Sequence, residues 1–205
     1  MAPTDTIAYL DCFSGISGDM LLGACFHAGV PKDFLLSELG KIEGLDFNLQ
    51  VETECYSGIA CKKVTVSSSS KQQFRHLGNI LELLDSSSLK PVIKEKAAKT
   101  FTRLAEAEAK VHNTDIDKIH FHEVGAVDTI VDIVGSLIGL DHLGITKTIC
   151  SPLPMGRGFV RCDHGNLPLP APAVCALVQE TPTYGVDQEK ELVTPTGAEI
   201  GRAHV

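Results

Sequence analysis

Two histidines and two aspartates lie close together in the segment HFHEVGAVDTIVD, residues 120–132. On a strand, residues two apart point to the same side, so His120 and His122 would project together. On the helix predicted after Gly125, Asp128 and Asp132 are four apart and share a face. Imidazole nitrogens with carboxylate oxygens suit nickel, zinc, manganese or iron, so the segment predicts a divalent metal site. The alternative is that both histidines only hydrogen-bond to the backbone or to the aspartates and stabilise the turn.

A second polar segment, DCFSGISGD at residues 11–19, follows the first predicted strand. A strand, a glycine turn and a helix start present backbone N–H groups and the positive end of the helix dipole to an anion. The segment is neither a Walker loop nor G-x-G-x-x-G, which excludes both standard nucleotide-binding assignments. Its flanking aspartates would repel a bare phosphate but would accept one bridged by a divalent cation. The candidate residues are Asp11, Ser14, Gly15, Ser17, Gly18 and Asp19.

This glycine segment also has a purely structural interpretation, in which it is a turn and Asp19 stabilises the N-terminus of the helix. Cys12 has no neighbouring histidine to activate it, and the sequence predicts a small buried residue there rather than a nucleophile.

A third segment, residues 156–172, combines three glycines and three prolines with Arg161 and His164. Such a rigid loop could bind an anion through the arginine or complete a metal shell through the histidine. An ordered surface turn with a solvated arginine is the alternative. The stretch Thr194–Gly197 is a similar rigid polar turn.

The elements that must position these residues alternate between strands and helices, which favours an α/β fold with a mixed sheet or sheets, flanking helices and possibly two small subdomains. On the helix 126–143, Gly135 and Gly139 continue the face of the aspartates and would let a neighbouring element approach closely. The opposite face predicts a core of Val127, Ile130, Val131, Val134, Leu137 and Ile138. The predicted strands are 6–13, 47–55, 60–67, 119–123 and 148–151, and the predicted helices are 19–28, 32–42, 77–84, 92–112, 126–143 and 173–178.

Composition excludes several classes of protein. The 205 residues are 43% hydrophobic and 21% charged, which is the balance of a globular chain rather than a disordered one. The net charge of −8 and the lack of a basic cluster argue against a nucleic-acid partner. No segment is apolar enough to span a membrane, and residues 1–5 lack the basic and apolar regions typical of a signal peptide, so none is expected. Seven cysteines without C-x-x-C spacing favour reduced thiols, so we expect a soluble cytoplasmic protein.

These motifs together resemble the LarC nickel-insertion family. The resemblance rests on residues 10–20, 120–135, 159–172 and 192–198, which occur in the family's order. It implies insertion of nickel into pyridinium-3,5-bisthiocarboxylic acid mononucleotide, the last step in making the nickel-pincer cofactor of lactate racemase-type enzymes. It also implies a chelatase of the lyase class that depends on CTP with manganese or magnesium and forms a cytidylylated intermediate.

The resemblance gives the local pieces expected roles. The metal ligands would be His120 and His122, helped by Asp128 or Asp132, with His164 as a further candidate. The glycine loop 14–18 and Arg161 would bind the phosphate or the carboxylates of the substrate, and Asp11 and Asp19 would lie near any bridging cation.

Family members are about twice as long as this chain, so residues 1–198 are expected to be an N-terminal domain. The resemblance places CTP and its manganese or magnesium on a C-terminal half, present in the same chain or as a separate partner, and implies a homo-oligomer at full length. Residues 199–205, EIGRAHV, resemble the translation of a sequencing adapter and are expected not to be native. Two other functions stay open: a non-catalytic metal-binding scaffold, or a metal-dependent phosphoester enzyme.

Overall fold

The computed structural model describes residues 5–68, 76–119, 121, 127–162 and 165–202. Helices and short strands alternate through these ranges, which confirms the mixed α/β class. The helices are α1 (Gly18–His27), α2 (Lys32–Leu39), α3 (Leu77–Ser86), α4 (Pro91–His112), α5 (Val127–His142), α6 (Pro172–Leu177) and α7 (Pro195–Arg202), with a 3₁₀ turn at Ile116–Lys118. None of the helices in these ranges is long and apolar enough to cross a bilayer.

The described strands pair two by two. The parallel pairs are β1 (Thr6–Leu10) with β4 (Ile145–Cys150) and β5 (Leu153–Met155) with β8 (Thr183–Gly185). The antiparallel pairs are β2 (Asn48–Tyr56) with β3 (Ile59–Ser67) and β6 (Phe159–Cys162) with β7 (Gly165–Pro168). In the β1–β4 pair, Leu10 lies opposite Cys150, so both strands end at the same edge.

Helix α5 lies at the centre of the core. Its predicted core residues are all buried, which confirms that face of the helix. The face with Gly135 and Gly139 is buried as well, because α1 packs on it. A helix that is covered on nearly all sides must be apolar around most of its circumference, as α5 is.

The contact between α1 and α5 depends on these glycines. A Cβ atom at Gly139 would lie 2.9 Å from the side chain of Cys25, and one at Gly135 would lie 3.2 Å from Leu22. One turn earlier, a Cβ atom at Gly18 would lie 2.6 Å from the Cβ of Asp132. The small residues therefore let the two backbones approach closely along the whole length of α1.

Several predicted elements differ from the structure, among them the helix predicted at 32–42, which ends at Leu39. Strand β1 ends at Leu10 rather than Phe13, because the chain turns at that point to enter the glycine loop. Strand β4 begins at Ile145 rather than Thr148, because it follows β1 along its full length. The proline-rich stretch contains strands where a loop was predicted, because its prolines stand at positions compatible with short edge strands. Most of the strand predicted at 119–123 lies outside the described residues.

Candidate functional site

The glycine loop after β1 is held against the segment that precedes α7. The N–H of Ile16 donates to the carbonyl of Leu192 at 2.9 Å, and the N–H of Thr194 donates to the carbonyl of Ile16 at 3.2 Å. Gly15 has φ +100°, and a Cβ there would lie 2.0 Å from the Leu192 carbonyl oxygen. Only glycine permits both this backbone conformation and this close approach.

The stretch Thr194–Gly197, predicted as a rigid turn, is the N-terminus of α7 and forms the other side of the same contact. The hydroxyl of Thr194 accepts a hydrogen bond from the N–H of Gly197 at 3.1 Å, as an N-cap residue does. A Cβ at Gly197 would lie 2.1 Å from the Ile16 carbonyl oxygen. The structure thus brings together the glycine loop and the C-terminal polar turn, which are far apart in the sequence.

These contacts leave fewer backbone N–H groups free to bind an anion than the sequence predicts. The N–H of Gly15 donates to the carbonyl of Cys12 at 2.8 Å, and the N–H of Ile16 is bonded to Leu192. An anion would therefore meet the first turn of α1, where the N–H groups of a helix have no partner within the helix. Ser17 stands at the N-cap position with extended backbone, and its hydroxyl donates to Asp19 Oδ1.

Asp132 faces this first turn of α1 from the neighbouring helix. Burial, followed by the negative charges of Asp19 and Asp128, raises the pKa of Asp132 from 3.8 to about 8. Its Oδ1 atom is buried and has no hydrogen-bond partner among the described residues. A buried carboxyl oxygen without a partner is costly, and a bound cation or donor would remove that cost.

The sequence placed Asp19 in one candidate site and Asp128 and Asp132 in another, whereas in the structure the charges of Asp19 and Asp128 both act on Asp132. These three residues are called the aspartate cluster below. Carboxylates that repel one another take up either protons or a divalent cation. Within the described ranges, no three His, Cys, Asp or Glu side chains converge closely enough to hold a metal ion by themselves. A metal at the aspartate cluster would therefore need ligands from elsewhere.

The other predicted site residues are placed as follows. Asp11 and Ser14 are exposed at the two ends of the turn after β1. Arg161 is exposed in β6, opposite Asn166, and its role in substrate binding stays a prediction. The three predicted histidine ligands, His120, His122 and His164, lie outside the described residues.

Sequence reasoning missed a pair of cysteines. The sulfur atoms of Cys12 and Cys150 lie 3.4 Å apart at the edge where β1 and β4 end. A hydrogen bond from the Cys12 thiol lowers the pKa of Cys150, and the same bond, with burial, raises the pKa of Cys12. The pair could have been found only by predicting that β1 and β4, which are far apart along the chain, lie side by side and parallel.

Comparison with known proteins assigns the family. The family model described as "Nickel insertion protein" matches residues 8–205. A protein of Desulfotalea psychrophila (strain LSv54 / DSM 12343) is 49% identical over 97% of this chain, and the match covers 51% of that relative. The pyridinium-3,5-bisthiocarboxylic acid mononucleotide nickel insertion proteins of Desulfitobacterium hafniense strains DSM 10664 / DCB-2 and Y51 are each 49% identical over 96% of this chain and 49% of their own length.

The chain thus spans about half the length of the curated relatives it matches. No solved structure gives a significant match. With almost its whole length matched by one family model and by relatives at this identity, the chain belongs to the nickel insertion protein family.

Proposed function

We propose that this chain takes part in inserting nickel into pyridinium-3,5-bisthiocarboxylic acid mononucleotide. The support is the family assignment together with the names of the two Desulfitobacterium relatives, which specify this substrate. Nickel is the substrate metal of this reaction, so the chain needs a site that takes up the ion and then gives it up.

The aspartate cluster of Asp19, Asp128 and Asp132 is the part of the described structure best suited to that task. The observation that carries the assignment is the buried Asp132 Oδ1, which lacks a partner in the described part of the chain and lies near two further carboxylates. Nickel accepts both oxygen and nitrogen ligands. We propose that His120 and His122, which precede α5 in the sequence, complete the site, with His164 as a further ligand.

The glycine loop would orient the substrate beside this ion. The phosphate of the substrate would bind at the first turn of α1, and Ser14 and Ser17 would add hydroxyl groups there. Asp11 and Asp19 would favour a bridging cation. Arg161 is proposed to bind a carboxylate or phosphate oxygen of the same substrate. The protein's part is to hold the mononucleotide with its thiocarboxylate groups facing the ion.

The complete reaction is proposed to need the half of the family protein that lies outside this chain. We propose that CTP, with manganese or magnesium, acts there in a reaction of the lyase class, that the full-length protein is a homo-oligomer, and that it works in the cytoplasm. None of the residues described above is assigned to CTP.

An insertion assay tests the proposal. The chain would be mixed with Ni²⁺, the mononucleotide, CTP and Mn²⁺, with and without the complementary half of a Desulfitobacterium hafniense relative, and the nickel-containing product would be measured by mass spectrometry. Product is expected only with both halves, and it should be lost in Asp132→Asn. The matched control is Asp33→Asn, which changes an exposed acid in the first turn of α2 and should keep activity.

Three outcomes would contradict the proposal. If the intact relative forms product and the mixed halves form none, although the chain binds nickel, the scaffold function is favoured instead. Hydrolysis of a generic phosphoester without nickel transfer would favour the phosphoesterase alternative. Unchanged activity of Asp132→Asn would remove the aspartate cluster from the reaction.

A further inference from the structure

The backbone around β1 and β4 fixes the positions of Cys12 and Cys150. Cys150 is the last residue of β4, and Cys12 follows the end of β1 by two residues. The N–H of Ser151 donates to the carbonyl of Leu10 at 2.9 Å, and the N–H of Cys12 donates to the hydroxyl of Ser151 at 2.9 Å. The two thiols are therefore brought together by strand pairing and by the hydrogen bond from Cys12 to the Ser151 side chain.

The separation of the sulfur atoms suits a shared metal ion. At 3.4 Å it is far longer than the bond of about 2.05 Å in a disulfide. Two sulfurs bound to one ion at about 2.3 Å lie about 3.3 Å apart at a right angle and about 3.8 Å apart at the tetrahedral angle. The observed distance falls between these values, so both sulfurs could bind one ion with little movement of either side chain.

The pair is also reachable from outside. Cys12 is buried, at 4% exposed, whereas Cys150 is half-buried. The neighbours of Cys12 in the sequence, Asp11 and Phe13, are both exposed. An ion could enter past Cys150 and would be bound on its inner side by Cys12.

We propose that Cys12 and Cys150 form a two-sulfur chelate for a thiophilic divalent cation of the nickel and zinc class, a second metal site separate from the aspartate cluster. Thiolates prefer such ions over magnesium or calcium. Because the chain supplies two ligands, water or a bound molecule fills the remaining positions, and the ion stays exchangeable. Each thiol that binds the ion releases its proton.

The site can be tested by nickel binding in a chain that keeps few thiols. In a background with Cys55, Cys61, Cys162 and Cys175 changed to serine and the rest kept reduced, Ni²⁺ should produce the near-ultraviolet charge-transfer absorption of a nickel thiolate. With Asp132→Asn added to remove nickel from the aspartate cluster, the absorption should saturate at one ion per chain and decline when Zn²⁺ competes. Cys12→Ser and Cys150→Ser should each weaken binding at least about tenfold, since one of two protein ligands is lost.

Two matched variants separate this site from its alternatives. Cys25→Ser changes a buried thiol on α1 and should keep the absorption. Asp132→Asn should keep it too, because the chelate does not include the aspartate cluster. Both expected absorptions are the same whether or not the chain takes part in nickel insertion.

X-ray absorption gives the nickel–sulfur distances directly, measured on this background with Asp132→Asn added so that nickel at the aspartate cluster does not contribute. Two sulfur ligands at about 2.3 Å are expected. Absence of sulfur from the nickel shell would overturn the proposal, as would charge-transfer absorption that survives in both serine variants. A reduced pair that oxidises to a disulfide and binds neither ion would also overturn it.

Discussion

Asp132 combines burial with a carboxylate oxygen that has no partner in the described part of the chain, and two further aspartates act on it. A buried carboxylate lowers the stability of the fold when it is ionised and no cation or hydrogen-bond donor is bound to it. A buried acid on a helix whose other buried side chains are mostly apolar is what a cation site would require.

The pH dependence of unfolding should report this cost. With its pKa raised to about 8, Asp132 stays protonated in the folded chain at pH values where the unfolded chain has lost that proton. The folded state then binds more protons, so stability falls as pH rises from about 4 to 8, by up to about 1.4 kcal/mol per pH unit. Asp132→Asn should flatten this decline and raise the stability at pH 7, measured by denaturant unfolding with a chelator present.

Asp33→Asn controls for the loss of one exposed charge and should leave the decline unchanged. Equal slopes for the original chain and Asp132→Asn would show that Asp132 titrates as an ordinary exposed carboxyl group.

For single residues, the sequence predicted their chemistry better than it predicted which other residues lie near them in the fold. The spacing of Asp128 and Asp132 indicated a shared helix face. It could not indicate that Asp19 lies near them, because that depends on how closely Gly18 lets α1 approach Asp132. The pairing of Cys12 with Cys150 likewise depends on strand pairing between distant segments.

Between elements, the glycine face of α5 sets the distance to α1. Gly139→Ala would place a Cβ 2.9 Å from Cys25, and we expect it to destabilise the chain by about 1–3 kcal/mol through overpacking. The higher helix propensity of alanine, worth up to about 1 kcal/mol, offsets only part of this. Thermal and denaturant unfolding measure the difference.

Gly78→Ala is the matched control, because a Cβ at this exposed position in α3 meets nothing within 4 Å. It should leave stability unchanged or raise it by up to about 1 kcal/mol. If the two variants behave alike, the close packing of α1 on α5 is wrong.

The docking of the glycine loop can be tested in the same way. Gly15 and Gly29 have similar positive φ values, +100° and +108°, but only Gly15 faces a backbone atom at close range. Gly29→Ala should cost about 1–2 kcal/mol, the price of the left-handed conformation alone. Gly15→Ala should cost more, because the Leu192 carbonyl must also move. Comparable unfolding free energies for both variants would contradict the contact between the loop and residues 192–194.

Sequence patterns predicted the elements well where the pairing residues are close together in the sequence. The hairpin of β2 and β3 follows from alternating residues around Ser57-Gly58, and both turn residues have positive φ. The stretch 152–172 was harder to predict, because its short strands pair through contacts that leave little periodicity in the sequence.

Across the whole molecule, an ion pair joins α4 to α7. Arg103 Nη1 lies 3.1 Å from Glu199 Oε1, and the side chain of Glu199 is 1% exposed. Arg103→Met keeps the apolar stem but leaves a buried acid without its cation. We expect a loss of about 3 kcal/mol, at the low end for buried pairs because Arg103 is 32% exposed.

Adding Glu199→Gln to Arg103→Met should recover part of that loss, because no charge then stays buried. Lys118→Met breaks the exposed pair with Asp115 and should change stability by less than about 1 kcal/mol. Similar losses for Arg103→Met and Lys118→Met in urea unfolding would contradict the buried pair. That residues 199–205 are not native sequence stays a prediction.

The measurement that tests the candidate site most directly is nickel binding by calorimetry with elemental analysis, made on the Cys12→Ser chain so that the sulfur pair does not contribute. We predict one nickel ion per chain. Binding should be lost in Asp132→Asn, weakened at least about tenfold in His120→Ala/His122→Ala, and unchanged in Asp33→Asn. If Asp132→Asn binds nickel as tightly as its parent, the aspartate cluster does not hold the ion.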